Sequence, residues 1–224
     1  MAKQTKKHDE EVLFDLMEAG NSTQNFVEKN QTWIIIVVAG ILSLVGLFFA
    51  YKMIWMAPKE TKAITEMYKA EFQFEQDSFA LALENPGEGY MGFIDIADNY
   101  SMTKAGNLAN YYAGISYLRL GRFEAAISYL NDFDPTGKVT PILKHGALGD
   151  AYGELGQMDK ATSAHKKAIN AEDNELMSPY YMYKLAMLYR SQKNQEESMK
   201  YFKKLKTEYP NSTQANDSAK YFAD

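Results

Sequence analysis

The chain has 224 residues, a net charge of −5, 46% hydrophobic and 24% charged residues, and no cysteine. This composition excludes a wholly disordered, collagen-like or coiled-coil chain, and the length allows one modest domain plus an extra segment. The acidic balance, with 21 Lys against 3 Arg, argues against a nucleic-acid partner, and the missing thiols exclude disulfides, thiolate catalysis and Cys-based metal sites.

In chain order, residues 1–32 are a polar tail with six acids and one short amphipathic run, Val12, Leu13, Leu16 and Met17. Residues 33–55 read as a single transmembrane helix. From Trp33 to Tyr51 nineteen residues pass without a charge. At 1.5 Å per residue they make about 28 Å of helix, the thickness of a bilayer core. Trp33, Tyr51 and Trp55 supply rings that settle at headgroup level, and Lys52 can extend its ammonium to the interface. A cleaved leader is not expected. The tail is acidic, the apolar run is long, and Tyr51 to Trp55 offers no pair of small residues. Lys3, Lys6, Lys7 and Lys29 on one flank balance Lys52, Lys59, Lys62 and Lys69 on the other, so loop charge does not orient the helix.

Beyond it the chain becomes rich in Ala, Tyr, Leu and Lys at helical spacing and repeats itself. Gly114, Tyr117, Gly121 and Ala126 recur as Gly149, Tyr152, Gly156 and Ala161, 35 residues on. A third copy starts at Ala186 with Tyr189, Phe202 and Pro210 in place, but with Lys193 and Ser198 where Gly and Ala are expected. The period, about 34 residues, and the words YYAGISYLRLGRFEAAISYL and HGALGDAYGELGQMDKATSAH resemble tetratricopeptide repeats. Residues 56–103 are expected to hold membrane-proximal helices and a worn leading repeat, because GYMGFIDIADNYS matches MKYFKKLKTEYPN, Phe93 with Phe202 and Tyr100 with Tyr209. Residues 104–224 are expected to hold the repeats and a capping helix over Thr213 to Phe222. The fold class is therefore all-α, one transmembrane helix followed by an α-solenoid. Within each repeat, Gly114, Ala126, Gly149 and Ala161 should let two helix backbones approach. Gly121 and Gly156 should end the first helix, and the three tyrosines should fill the space between helices.

Nothing in the sequence announces chemistry. His8, His145 and His165 are spaced for no metal, and phosphate-binding and nucleophile-elbow loops are missing, so no enzyme activity, metal, cofactor or small-molecule substrate is expected. The resemblance implies instead a concave groove lined by the first helix of each repeat. It should present Tyr111, Ile115 and Leu118, then Asp150 and Glu154, then Tyr183, Met187 and Arg190. With Tyr111 and Ile115 where carboxylate-clamping repeats carry Lys and Asn, capture of a chaperone C-terminus is not implied.

The layout as a whole, a tail, one anchor and a short repeat array, resembles the YfgM family of bacterial inner-membrane proteins. That resemblance implies a cytoplasmic tail, a periplasmic domain over residues 56–224, and protein partners: the SecYEG translocon, a PpiD-like periplasmic chaperone and secretory polypeptides. Two other readings stay open, a scaffold subunit of another envelope assembly and a cytosol-facing organelle receptor.

Overall fold

The computed structural model describes residues 28–222, which are helical with short connections. The amphipathic run at Val12 to Met17 lies outside the described residues. The chain divides into two units, Met1–Ala57 and Pro58–Asp224.

The first unit is described from residue 28, as helix. It belongs to a helix over Glu28–Glu75 whose apolar stretch has a mean hydropathy of 2.7 and no buried share. Trp33 is 70% exposed and Ile35, Leu42, Leu44 and Leu47 are all exposed. A helix in a soluble core would have such side chains covered by protein; by length and composition this one can cross a membrane. Tyr51, Lys52 and Trp55 fall in a π-helical stretch, Tyr51–Met56, where the rings of Tyr51 and Trp55 lie 5.6 Å apart.

The second unit opens within α1 (Ala57–Glu75), which α2 (Phe79–Glu84) and α3 (Phe93–Asn99) follow. Three helical hairpins follow: α4 (Lys104–Arg119) with α5 (Phe123–Asp132), α6 (Thr140–Glu154) with α7 (Met158–Ala171), and α8 (Met177–Ser191) with α9 (Gln195–Glu208). The short α10 (Thr213–Ser218) and a 3₁₀ turn, Ala219–Phe222, pack against the third hairpin.

One turn chemistry ends the first helix of all three hairpins. Gly121 and Gly156 take φ of +71° and +70°, the left-handed conformation that costs glycine least. The N–H of the next residue reaches back to a tyrosine carbonyl: Arg122 to Tyr117, Gln157 to Tyr152, Asn194 to Tyr189. In the third hairpin Lys193 adopts the same conformation, φ +60°, with a side chain. Ser198, in the place of Ala126 and Ala161, is 1% exposed and its hydroxyl has no hydrogen-bond partner. Both departures work against stability, so Lys193→Gly with Ser198→Ala should stabilise the unit by about 1–2 kcal/mol, read by thermal unfolding.

Inside the hairpins the glycines make room for the second helix. A Cβ on Gly114 would stand 2.6 Å from the Leu130 side chain, and one on Gly149 would stand 2.6 Å from the His165 ring. The room they make is taken by a side chain from the second helix, and at Gly114 the backbone nitrogen of Leu130 also comes within 3.2 Å of that position. Ala126 and Ala161 are wholly buried a turn away. Tyr117 stacks on Tyr129 at 5.4 Å and Tyr189 on Tyr201 at 5.8 Å. Tyr152 faces Ala164 in the corresponding place and instead carries the Lys160 ammonium 5.4 Å above its ring.

The leading segment is only half a repeat. Its second half keeps the pattern: Phe93 is fully buried like Phe202, and Tyr100 ends α3 as Tyr209 ends α9. The carbonyls of Tyr100 and Tyr209 accept hydrogen bonds from Thr103 and Ser212, which in turn cap α4 and α10. The first half departs from it, because α2 and a loop come between α1 and α3. That loop takes positive φ at Gly87, Glu88 and Gly89 in succession. An aromatic cluster of Phe74, Phe79, Phe93 and Tyr112 closes this end, with Phe93 and Tyr112 stacked at 4.9 Å. The Glu60 carboxylate accepts from the N–H of Lys104 at 2.7 Å and Ala105 at 3.1 Å, which ties α1 to the first turn of α4.

Candidate partner-binding groove

The first helices of the three hairpins, α4, α6 and α8, line a concavity of about 910 Å³. Helical periodicity selects its wall. Tyr111, Ile115 and Leu118 lie one turn apart on α4, and all three are half-buried. Asp150 and Glu154 come from α6, and Met187 from α8. Phe123 and Met158 extend the apolar surface from the starts of α5 and α7.

Six of the eight residues expected in the groove thus share it; Tyr183 and Arg190 do not. The Tyr183 ring packs 5.9 Å from Phe202, and the Arg190 guanidinium lies 4.7 Å over the ring of Tyr221. Register explains the correction. Tyr183 stands where Gly146 stands in the preceding repeat, and Gly146 abuts Tyr181 of the next hairpin. After the third hairpin come α10 and the 3₁₀ turn, and they take that face. The α8 residues facing the concavity are Tyr180, Tyr181, Lys184, Met187, Leu188 and Ser191.

The floor carries a polar centre that single residues in the sequence did not reveal. The Lys184 ammonium donates to both oxygens of Asp150, at 2.6 and 2.7 Å, and sits 5.1 Å over the Tyr180 ring. Burial pulls the Lys184 pKa down, but the hydrogen bonds and charge of Asp150 outweigh it and the net direction is up. His165 lies 3.6 Å from Asp150, beyond hydrogen-bond length, with its Nδ1 buried, unpartnered and packed against Gly149. Burial lowers its pKa to about 4; Asp150 opposes that shift and Lys184 adds to it. The ring is therefore neutral at pH 7. Burial also raises the phenols of Tyr111 and Tyr181.

Such a floor has cancelled its own charge. With Lys184 neutralised by Asp150 and His165 neutral, the surface offered mixes aromatic and aliphatic side chains with polar groups, and Arg119 and Glu154 bring one charge of each sign. It can bury apolar side chains, and it presents no unbalanced charge to draw an ionised chain end.

Residues 108–133 and 180–212 match one tetratricopeptide-repeat profile, and residues 145–175 match another. The three hairpins are tetratricopeptide repeats, an architecture that serves as a scaffold for protein–protein interaction. A comparison with curated proteins yields no match.

Proposed function

We propose that this chain is a single-pass protein of the bacterial inner membrane, anchored through residues 33–55, with residues 1–32 in the cytoplasm and 56–224 in the periplasm. Its groove holds emerging secretory polypeptides, or positions a PpiD-like chaperone, at the SecYEG translocon. The observation that carries this reading is the groove: the first and third repeats present Tyr111, Ile115, Leu118, Tyr180 and Met187 around a charge-cancelled floor that the second repeat supplies through Asp150. An unfolded chain leaving a translocon offers what such a surface takes, apolar segments not yet buried in a core. Met and Tyr side chains suit loose recognition, since they repack around varied sequences without a fixed polar pattern. The anchor keeps the groove at the membrane where those segments appear.

Two measurements test this. Protease added to spheroplasts should digest the repeat unit; protection until the membrane is breached would put the groove on the wrong side. Tyr111→Ala with Tyr180→Ala should weaken capture of translocating polypeptides or chaperone by about thirtyfold or more, as expected when aromatic anchors worth about 2 kcal/mol or more are removed. Unchanged co-purification from membranes would remove the groove from the mechanism.

A further inference from the structure

The outer face of α1 is apolar as well as the inner one. Ile64, Tyr68 and Phe72 are 55%, 67% and 45% exposed and recur every four residues. At about 100° per residue this stripe, with Thr61, lies about 130° round the helix from the core face of Ala63, Met67, Ala70 and Phe74. A large exposed apolar side chain standing alone needs no account, but three in a row along one helix make a surface.

We propose that this stripe pairs with the same stripe of a second copy of the chain. Three features select that occupant. First, α1 is the C-terminal part of the helix Glu28–Glu75, which is long and apolar enough to span a bilayer. Copies inserted in one membrane share orientation and leave it a few residues before Thr61, so identical stripes lie on the same side of the bilayer at the same distance along the chain, whereas an unrelated partner has no such registration. Second, Thr61, Ile64, Tyr68 and Phe72 lie within about 45° of one line along the helix, and that line carries no ionised side chain until Glu75. Two-fold pairing therefore sets no like charges face to face along the seam before Glu75, at the end of α1. Third, three large side chains bury too little area to hold a dimer in solution, but confinement to a plane by an anchor raises the effective concentration of the second copy. The seam suits a membrane-held pair, and it leaves the groove residues on α4, α6 and α8 untouched.

The pairing rests on reading the helix as an anchor, and one experiment separates the two. The sequence lacks cysteine, so a single introduced thiol reports its own neighbour. Full-length Ile64→Cys and Tyr68→Cys, oxidised in native membranes with copper phenanthroline, should form disulfide-linked dimers. Lys62→Cys, exposed but about 115° round the helix from the stripe, should lose that product to background. Absence of dimer at Ile64 and Tyr68, equal dimer at Lys62, or adducts at Ile64 and Tyr68 with a different protein would overturn the pairing. Washing the same membranes with alkaline carbonate reads the anchor. A chain retained in the membrane without dimer overturns the pairing alone, and a chain released into the wash overturns the anchor and the pairing built on it.

Discussion

Gly106→Ala is expected to destabilise the repeat unit by about 3 kcal/mol, although alanine is the better helix former by about 1 kcal/mol. Gly106 lies in the first turn of α4, and a Cβ there would fall 2.0 Å from the backbone carbonyl oxygen of Tyr100. Backbone cannot swing aside as a side chain tip can. The same carbonyl accepts the hydrogen bond of the Thr103 hydroxyl, whose oxygen caps the Gly106 N–H, so the clash also breaks the junction between α3 and α4. Gly153→Ala, in α6, should do the opposite. Its nearest neighbour would be the Ala161 Cβ at 3.9 Å, ordinary contact, and the gain in propensity of about 0.5–1 kcal/mol remains. Thermal unfolding of the two variants should bracket the parent; two shifts of the same sign would mean the helices cross differently.

The second large effect is a dependence on pH. His165 has a folded pKa of about 4 against about 6.5 when unfolded, because it is buried among Gly149, Tyr181, Lys184 and Asp150. Between those values the unfolded chain binds the proton and the folded chain does not, so stability rises with pH across the window. The contribution is present above pH 6.5 and is lost as pH falls towards 4, a change of about 3 kcal/mol. His145, lowered first by burial and then by Lys167 and Lys144, adds in the same direction. Denaturant unfolding at a series of pH values should show the slope, and His165→Phe, which keeps a ring against Gly149, should remove most of it. An unchanged slope would mean that His165 is solvated in the folded protein.

The repeats were legible in sequence because their turns and close contacts demand particular residues. Gly121 and Gly156 mark a left-handed turn, and Tyr117 and Tyr189 mark stacking sites that only large rings fill. The core role of His165 was legible too, but only through alignment of the repeats: it stands where Leu130 and Phe202 stand, both wholly buried. Read alone, as one of three scattered histidines, it carried no signal. Asp150 was expected in the groove, but its partner Lys184 was not, because the matching positions in the other repeats are Tyr112 and Ala147, neither charged. The misplacement of Tyr183 and Arg190 has a simple cause. Repeat periodicity carries each position forward unchanged, whereas the last repeat meets a cap whose Tyr221 and Phe222 obey no repeat pattern. The leading segment misled for a related reason, since a match over one helix does not fix the helix before it.

The central claim is that the groove receives apolar segments of other polypeptides. Site-specific photo-crosslinking in living cells tests it most directly, with a photoreactive residue at Ile115 or Met187 inside the concavity and at Lys167 on the exposed face of α7. Adducts with secretory polypeptides or a periplasmic chaperone should form from Ile115 and Met187, disappear when Tyr111 and Tyr180 are both alanine, and stay at background from Lys167. Adducts of equal yield from all three positions, or none from the two groove positions while Lys167 gives a defined product, would contradict the account.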